Sequence, residues 1–389
     1  MSNTTTPSVV AIGELLWDML PDGRKPGGAP ANFIYHVAQN GVRGTAVTAV
    51  GDDELGRDLV SILADNDVNV AAQVNDYPTG ITAVRLDDGG IPEYDVVKGV
   101  AWDHIEFTDE VRGLVRGADA ICYGTIAARE AWGTRDTIYR MIDAASPDAI
   151  RLFDINIRSG FVNKEVITRF LEGATILKIN DEELPIVANL FGLDSPGDDI
   201  ASRQRVMEAL AGMFDLDVTI LTAGDAYSIV MGRDETSILP TPKVDVVDTV
   251  GAGDSFSGAF LAYLLRGFSI PTAHQRAVEV SAFVCGRSGA LAAIPCGAAG
   301  TVIPQSLILR FRPWRAFSHR PGPPPPISSS TKKDPSCHNA ISFPVLLPAP
   351  RSADCSTVTT PPSSMAPPRS SRNIFTPATP CLASPSVRR

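Results

Sequence analysis

Long apolar runs are missing from this 389-residue chain, and none approaches the roughly 20 residues that a helix needs to cross a bilayer. That excludes a helical membrane protein and leaves no membrane partner to expect. Cysteine is scarce: six residues, with no Cys-x-x-Cys or other metal-ligand spacing, so neither a disulfide scaffold nor a zinc module is expected. The first eight residues carry no charge, and the apolar stretch behind them is interrupted by Glu14 and Asp18. A secretory leader is not expected there, and a cytoplasmic location is the default.

Basic charge is short in one part of the chain and glycine in the other. Residues 1–300 hold 23 Lys and Arg against 42 Asp and Glu, an acidic body that repels phosphate backbones and makes nucleic acid a poor partner. Residues 301–389 hold 11 basic groups against two acids, 18 of the 31 prolines and a single glycine, Gly322. Nothing there has a period that would bury a face, so this Pro/Ser-rich basic stretch is expected to be a disordered tail. Its charges are scattered, which argues against a nucleic-acid or anionic-surface arm.

The first 300 residues alternate two kinds of segment. Residues 9–12, 45–50, 120–123, 150–155, 175–179 and 218–222 are short apolar runs rich in β-branched side chains, expected as strands. Residues 32–40, 55–64, 130–145 and 182–191 have helical spacing. The rhythm predicts a mostly parallel central sheet with helices on both faces, a three-layer α/β/α sandwich. One stretch breaks it: residues 79–100 read as two strands around the turn residues Asp87 to Gly90, either a sheet-edge extension or a lid.

The chemistry concentrates in Asp248-Thr249-Val250-Gly251-Ala252-Gly253-Asp254, which runs directly into an apolar helical segment. Two glycines before a helix let backbone N–H groups converge, and the helix dipole adds positive potential, making an anion site. Asp254 in the first turn then sits beside the anion that it would otherwise repel. That arrangement suits a base that takes the proton of an attacking hydroxyl in phosphoryl transfer. By themselves, a glycine turn and an aspartate helix cap would read the same way.

The whole string resembles the signature of the pfkB (ribokinase-like) family of carbohydrate kinases, in its fructokinase-like branch. Gly27-Gly28-Ala29-Pro30-Ala31-Asn32, Gly13-Glu14-Leu15-Leu16-Trp17-Asp18, Asn180-Asp181-Glu182-Glu183 and the Gly289-Ala290 ending resemble other family elements, in family order. The resemblance implies one kinase domain over residues 1–300, with a small β-sheet lid drawn from about 15–30 and 79–103. It implies ATP and Mg2+ as cofactors and a small-molecule sugar as substrate, with Asp254 as catalytic base. Gly251, Ala252 and Gly253 would form the anion hole. Asp18, Gly28 and Asn32 would contact the sugar, and Tyr94 would either close over it or make an ordinary lid contact.

By the same resemblance, Asn180 and Glu183 would organise Mg2+ through water, and Thr222 and Gly224 would line the nucleotide loop. Ala226 stands in that loop where the family often has glycine. Asp248, with the carbonyls of Val250, Val284, Arg287 and Gly289, would hold a monovalent cation such as K+. Arg158, in the run Asp154-Ile155-Asn156-Ile157-Arg158, would clamp a phosphate or a substrate carboxylate, or else form a structural ion pair. A homodimer paired through the lid strands is implied as well. Fructose is the first expected acceptor; 2-keto-3-deoxygluconate or another sugar, and an inactive sugar-binding regulatory member, are the alternatives.

Overall fold

The computed structural model describes residues 6–20, 23–86, 92–130, 133–157 and 161–294. The expectations for Arg158 and for the stretch from 301 onward lie outside these residues.

A nine-stranded sheet forms the centre. In chain order its strands are β1 (Ser8–Ile12), β4 (Arg43–Gly51), β5 (Val68–Asn75), β8 (Ala120–Gly124), β9 (Ile150–Asp154), β10 (Ile176–Asn180), β11 (Val218–Ala223), β12 (Tyr227–Gly232) and β13 (Thr236–Pro240). The spatial order is β13-β12-β11-β10-β9-β8-β1-β4-β5, parallel from β11 through β5, with β12 and β13 joined as an antiparallel edge. From β1 the chain moves to β4 and β5 on one side, then returns to β8 on the other. Open α/β sheets place their ligands at such a switch point, beyond the carboxyl ends of the strands.

Alternate residues of each strand feed two separate cores. Val10, Ile12, Ile121, Tyr123, Phe153, Leu177 and Ile179 pack on one face, under α3 (Asp109–Arg116), α4 (Thr134–Ala144), α5 (Lys164–Gly173), α6 (Glu183–Leu190) and α7 (Ile200–Phe214). Val9, Ala11, Ala46, Ala120, Cys122, Leu152 and Ile176 face the other way. There they meet α1 (Ala29–Gln39), α2 (Glu54–Ala64), α8 (Ala252–Leu265) and α9 (Ile270–Cys285). The sandwich is the fold that the alternating segments predict. The small side chains on the second face leave room for α8, which is buried along most of its length from Ser255 to Tyr263.

A second sheet of four strands stands apart, in the order β3-β2-β6-β7. It comprises β2 (Leu16–Leu20), β3 (Gly23–Gly27), β6 (Gly80–Leu86) and β7 (Pro92–Val96). Val100, Ala101 and Trp102, read from sequence as lid residues, are instead buried in the main core. The helix expected over 130–145 begins only at Thr134, because Gly133 enters it with φ 70, a left-handed conformation suited to glycine.

Two buried histidines give the stability a pH dependence. His274 on α9 lies between Ser228 and Ser237, with ring-nitrogen contacts of 2.7 and 2.8 Å, and burial pushes its pKa down to about 4. Burial does the same to His36 on α1, whose Nε2 donates to the Ala290 carbonyl at 2.9 Å. Each stays neutral when folded and takes up a proton when unfolded, so its contribution is complete above about 6.5 and is lost as pH falls toward 4. Denaturant unfolding measured from pH 7.5 to 4.5 should show stability falling by up to about 1.4 kcal/mol per pH unit for each histidine. A His274→Gln variant should fall less steeply; an equal slope would mean that His274 does not titrate in this way.

Candidate active site

The strand ends beside the switch point converge on one cavity. It is lined by Glu14 just after β1, Gly124 at the end of β8, Asp154 and Asn156 at the end of β9, Phe33 on α1 and Asp254 on α8. Asp254 occupies the third position of α8, which Gly251 opens with φ 76. A Cβ on Gly251 would stand 2.5 Å from the Ala290 Cβ, so both the left-handed turn and the close neighbour require glycine. The Ala252 N–H bonds the Thr249 carbonyl at 3.2 Å. By helix geometry, the first amides of α8 point out of the helix at its N-terminal end, where Gly251, Ala252 and Gly253 stand.

Asn32 reaches the same point from α1. Its Nδ2 donates to Asp254 Oδ2 at 2.9 Å, while its Oδ1 is buried without a hydrogen-bond partner. Gly28 opens α1 at φ 111, and a Cβ there would collide with the Glu14 carbonyl. Asp18 lies on β2 of the second sheet, where Thr82 of β6 donates to its Oδ1 at 2.8 Å. Tyr94 is on β7, opposite Val84 of β6.

Asn180 and Glu183 form a reciprocal pair of the capping-box kind. The Asn180 Oδ1 accepts from the Glu183 N–H at 2.8 Å, and Glu183 Oε2 accepts from the Asn180 N–H at 2.9 Å. Glu183 Oε1 takes the Ile157 N–H at 2.8 Å, which ties the loop after β9 to the end of β10. Burial raises the Glu183 pKa against these bonds and the charge of Lys178. Thr222 is the last residue but one of β11, and the Thr241 hydroxyl closes the following loop on the Gly224 carbonyl at 2.9 Å. Asp248 accepts from the Val250 N–H at 3.0 Å and the Gly289 N–H at 2.9 Å, holding its loop against the chain's Gly289-Ala290 segment.

Three groups at this site were not singled out from sequence. Lys178, buried in β10, donates to Asp154 Oδ1 at 3.1 Å, and Ser257 donates to Asp154 Oδ2 at 3.1 Å. The Lys178 ammonium lies 3.0 Å from where a Gly253 Cβ would be, so a larger residue there would press on it. Burial alone would lower the Lys178 pKa, but Asp154, Glu183 and Asp254 outweigh it and raise the value, which keeps the ammonium charged. A lysine in the otherwise apolar strand Ile-Leu-Lys-Ile-Asn was the available signal.

Glu14 is the third group. Its Oε1 accepts from the Ala29 N–H at 3.1 Å. Burial lifts its pKa to about 7, with the charge of Asp254 adding to the rise and Arg129 opposing it. Because the folded value lies above the unfolded one, its contribution to stability is complete below about 4.5 and is lost as pH rises to about 7. Glu14→Gln should therefore gain stability relative to wild type between pH 4.5 and 7, by on the order of 1–3 kcal/mol in denaturant unfolding. A difference independent of pH would mean that Glu14 is not held protonated.

The chain matches the pfkB family carbohydrate kinase over residues 22–296. Fructokinase-1 of Zea mays is 30% identical over 316 residues, covering 74% of this chain and 94% of the maize protein. A fructokinase with bound ATP from Xylella fastidiosa has TM-score 0.62 at 23% identity, covering 74% of this chain and 95% of that one. The 2-dehydro-3-deoxygluconokinase from Thermotoga maritima has TM-score 0.64 at 20% identity, with the same coverage, 74% and 95%. At these identities the two structures speak for the fold alone. The family match, which includes the glycine-led start of α8, establishes that this chain belongs to the pfkB family of carbohydrate kinases.

Proposed function

We propose that the chain transfers the γ-phosphoryl group of ATP to a hydroxyl of D-fructose, with Asp254 as the base. One observation carries this reading: Asp254, on the first turn of a glycine-led helix, lines the cavity at the strand ends and is held there by Asn32 Nδ2 at 2.9 Å. A sugar hydroxyl in that cavity would donate its proton to Asp254, with a neighbouring hydroxyl meeting Asn32. Asp254 removes the hydroxyl proton as the sugar oxygen forms its bond to phosphorus and the bond to the ADP oxygen breaks. The backbone at Gly251, Ala252 and Gly253 and the α8 dipole would face the charge on the group in flight, where preorganised donors matter most. Fructose, as opposed to another sugar, rests on the maize relative and on the likeness of residues 13–18 and 27–32 to fructokinases.

The residues present fit Mg-ATP. Among the described residues no group of three or more His, Cys, Asp or Glu could hold a metal ion directly. That suits Mg2+, which keeps most of its waters and binds substrate phosphates. Glu183, with both oxygens already on amides, would act on it through water beside Asn180, and Thr222 and Gly224 would border the nucleotide. When bound, Mg2+ neutralises charge on the phosphates. The K+ assignment fits less well, since both Asp248 oxygens and the Val284 carbonyl already accept backbone N–H groups. The second sheet, carrying Asp18 and Tyr94, would serve as the lid over the sugar.

The test is ADP release with Mg-ATP and a panel of fructose, 2-keto-3-deoxygluconate, ribose and glucose. Turnover on fructose above the others is expected, and Asp254→Asn should lower kcat by roughly 10²–10⁴-fold. Preference for another sugar would replace the substrate and keep the chemistry. An Asp254→Asn variant with wild-type turnover would remove Asp254 from its role.

A further inference from the structure

Arg129 is a buried cation that the proposed chemistry does not use. It follows a short helical turn, Ile126–Ala128, and its side chain is fully enclosed with that of Asp103. Its Nε and one terminal nitrogen grip the two Asp103 oxygens, each at 2.8 Å. The terminal nitrogens also donate to the carbonyls of Val96 at 2.9 Å and Val97 at 2.6 Å. The guanidinium lies 3.9 Å from the centre of the Trp102 ring. Asp103 in turn accepts from the amides of Gly99 at 2.9 Å and Val100 at 3.1 Å. A buried ion pair is weak evidence for stability, because desolvating both charges offsets their attraction. What this one does is fix a geometry.

The carbonyls that it holds are where β7 leaves the second sheet. Val96 pairs with Thr82 of β6 in the ladder, and the Thr82 hydroxyl is the donor to Asp18. The start of β6 is fastened separately: Thr79 donates its N–H and its hydroxyl to Asp53 at 3.0 and 2.6 Å. The two stems of the β6–β7 hairpin are thus anchored at different points of the main body. The anchor at β7 stands one ladder rung and one hydrogen bond away from a carboxylate read as a sugar contact.

We propose that Arg129 is a positioning residue for the acceptor sugar. By gripping the Val96 and Val97 carbonyls it sets the β6–β7 ladder, and through Thr82 the Asp18 carboxylate, over the pocket. This rests on the reading of Asp18 as a sugar contact. Lysine cannot replace Arg129, because one ammonium cannot span a carboxylate and two carbonyls in a planar fork.

The experiment measures KM for fructose, or for whichever panel sugar turns over fastest, and KM for ATP, on full-length chain. The variants are Arg129→Lys, Thr82→Val, their double and Asp18→Asn. Arg129→Lys and Thr82→Val are each expected to raise the sugar KM roughly 10-fold and leave the ATP KM within about twofold. The double should be no worse than the worse single, since both cut one relay. A merely structural role would lower the melting temperature and the active fraction and leave the sugar KM alone. Wild-type sugar KM in both singles, alongside a raised KM in Asp18→Asn, overturns the role of Arg129 and spares the sugar site. An Asp18→Asn variant with unchanged KM overturns the sugar-site reading itself. Additive effects in the double put the two residues on separate routes and overturn the relay. Should Arg129→Lys not fold, Asp103→Leu/Arg129→Met removes the ion pair together. The same KM rise is expected there, and a wild-type value overturns the proposal.

Discussion

At Gly258 the helices α1 and α8 meet so closely that a Cβ would stand 2.6 Å from the Phe33 carbonyl oxygen and 2.9 Å from the His36 Cβ. The rest of the site depends on that contact. It lets Asn32, 222 positions away in sequence, reach the Asp254 carboxylate. It also fixes where the first turn of α8 points, and therefore where backbone amides and helix dipole concentrate positive potential. The small side chains on this face of the sheet, Ala11, Ala46, Ala120 and Cys122, serve the same end by giving both helices a shallow floor. The opposite face is lined by larger side chains, among them Tyr123, Phe153 and Ile179.

The price of this placement is electrostatic. Glu14, Asp154, Glu183 and Asp254 gather around the carboxyl ends of the strands, with Lys178 as the buried cation among them. The structure lowers the cost in three ways. Glu14 retains its proton to about pH 7, Asp154 is neutralised by Lys178 and a serine hydroxyl, and Glu183 is held by two backbone amides. What remains is a carboxylate at the start of a helix, where the dipole favours negative charge. That is the carboxylate to which the proposed reading gives the proton of the acceptor hydroxyl.

The second sheet solves a different problem. A kinase must keep water from taking the phosphoryl group, and it must also admit a sugar. A four-stranded sheet built from two separate chain segments, tied to the body through Asp53 at one stem and Arg129 at the other, can present Asp18 without being part of the main core. On the proposed reading the second sheet is the cover of the site, and the interior of the body sets its geometry.

Much of this was legible in the sequence, because it rests on local rules. Alternating apolar periods gave the sandwich, the glycine pair before an apolar helix gave the start of α8, and the turn residues of 79–100 gave the hairpin. Asn180 and Glu183 stood out by their resemblance to a family element, and in the structure each caps the other's backbone. Less legible were β12, β13 and the true start of α4, where a turn conformation at Gly133 overrides helical spacing. Lys178, Glu14 and Arg129 escaped because a charged residue's role follows from what it is buried against, and sequence does not show that. The sequence by itself determined the fold class, the family and the position of Asp254, since backbone propensity and apolar period act over a few residues. Only the tertiary structure decided which carboxylate keeps its proton, which cation offsets the others and how the second sheet is fastened, since burial and Coulomb interactions depend on distances between residues far apart in the chain.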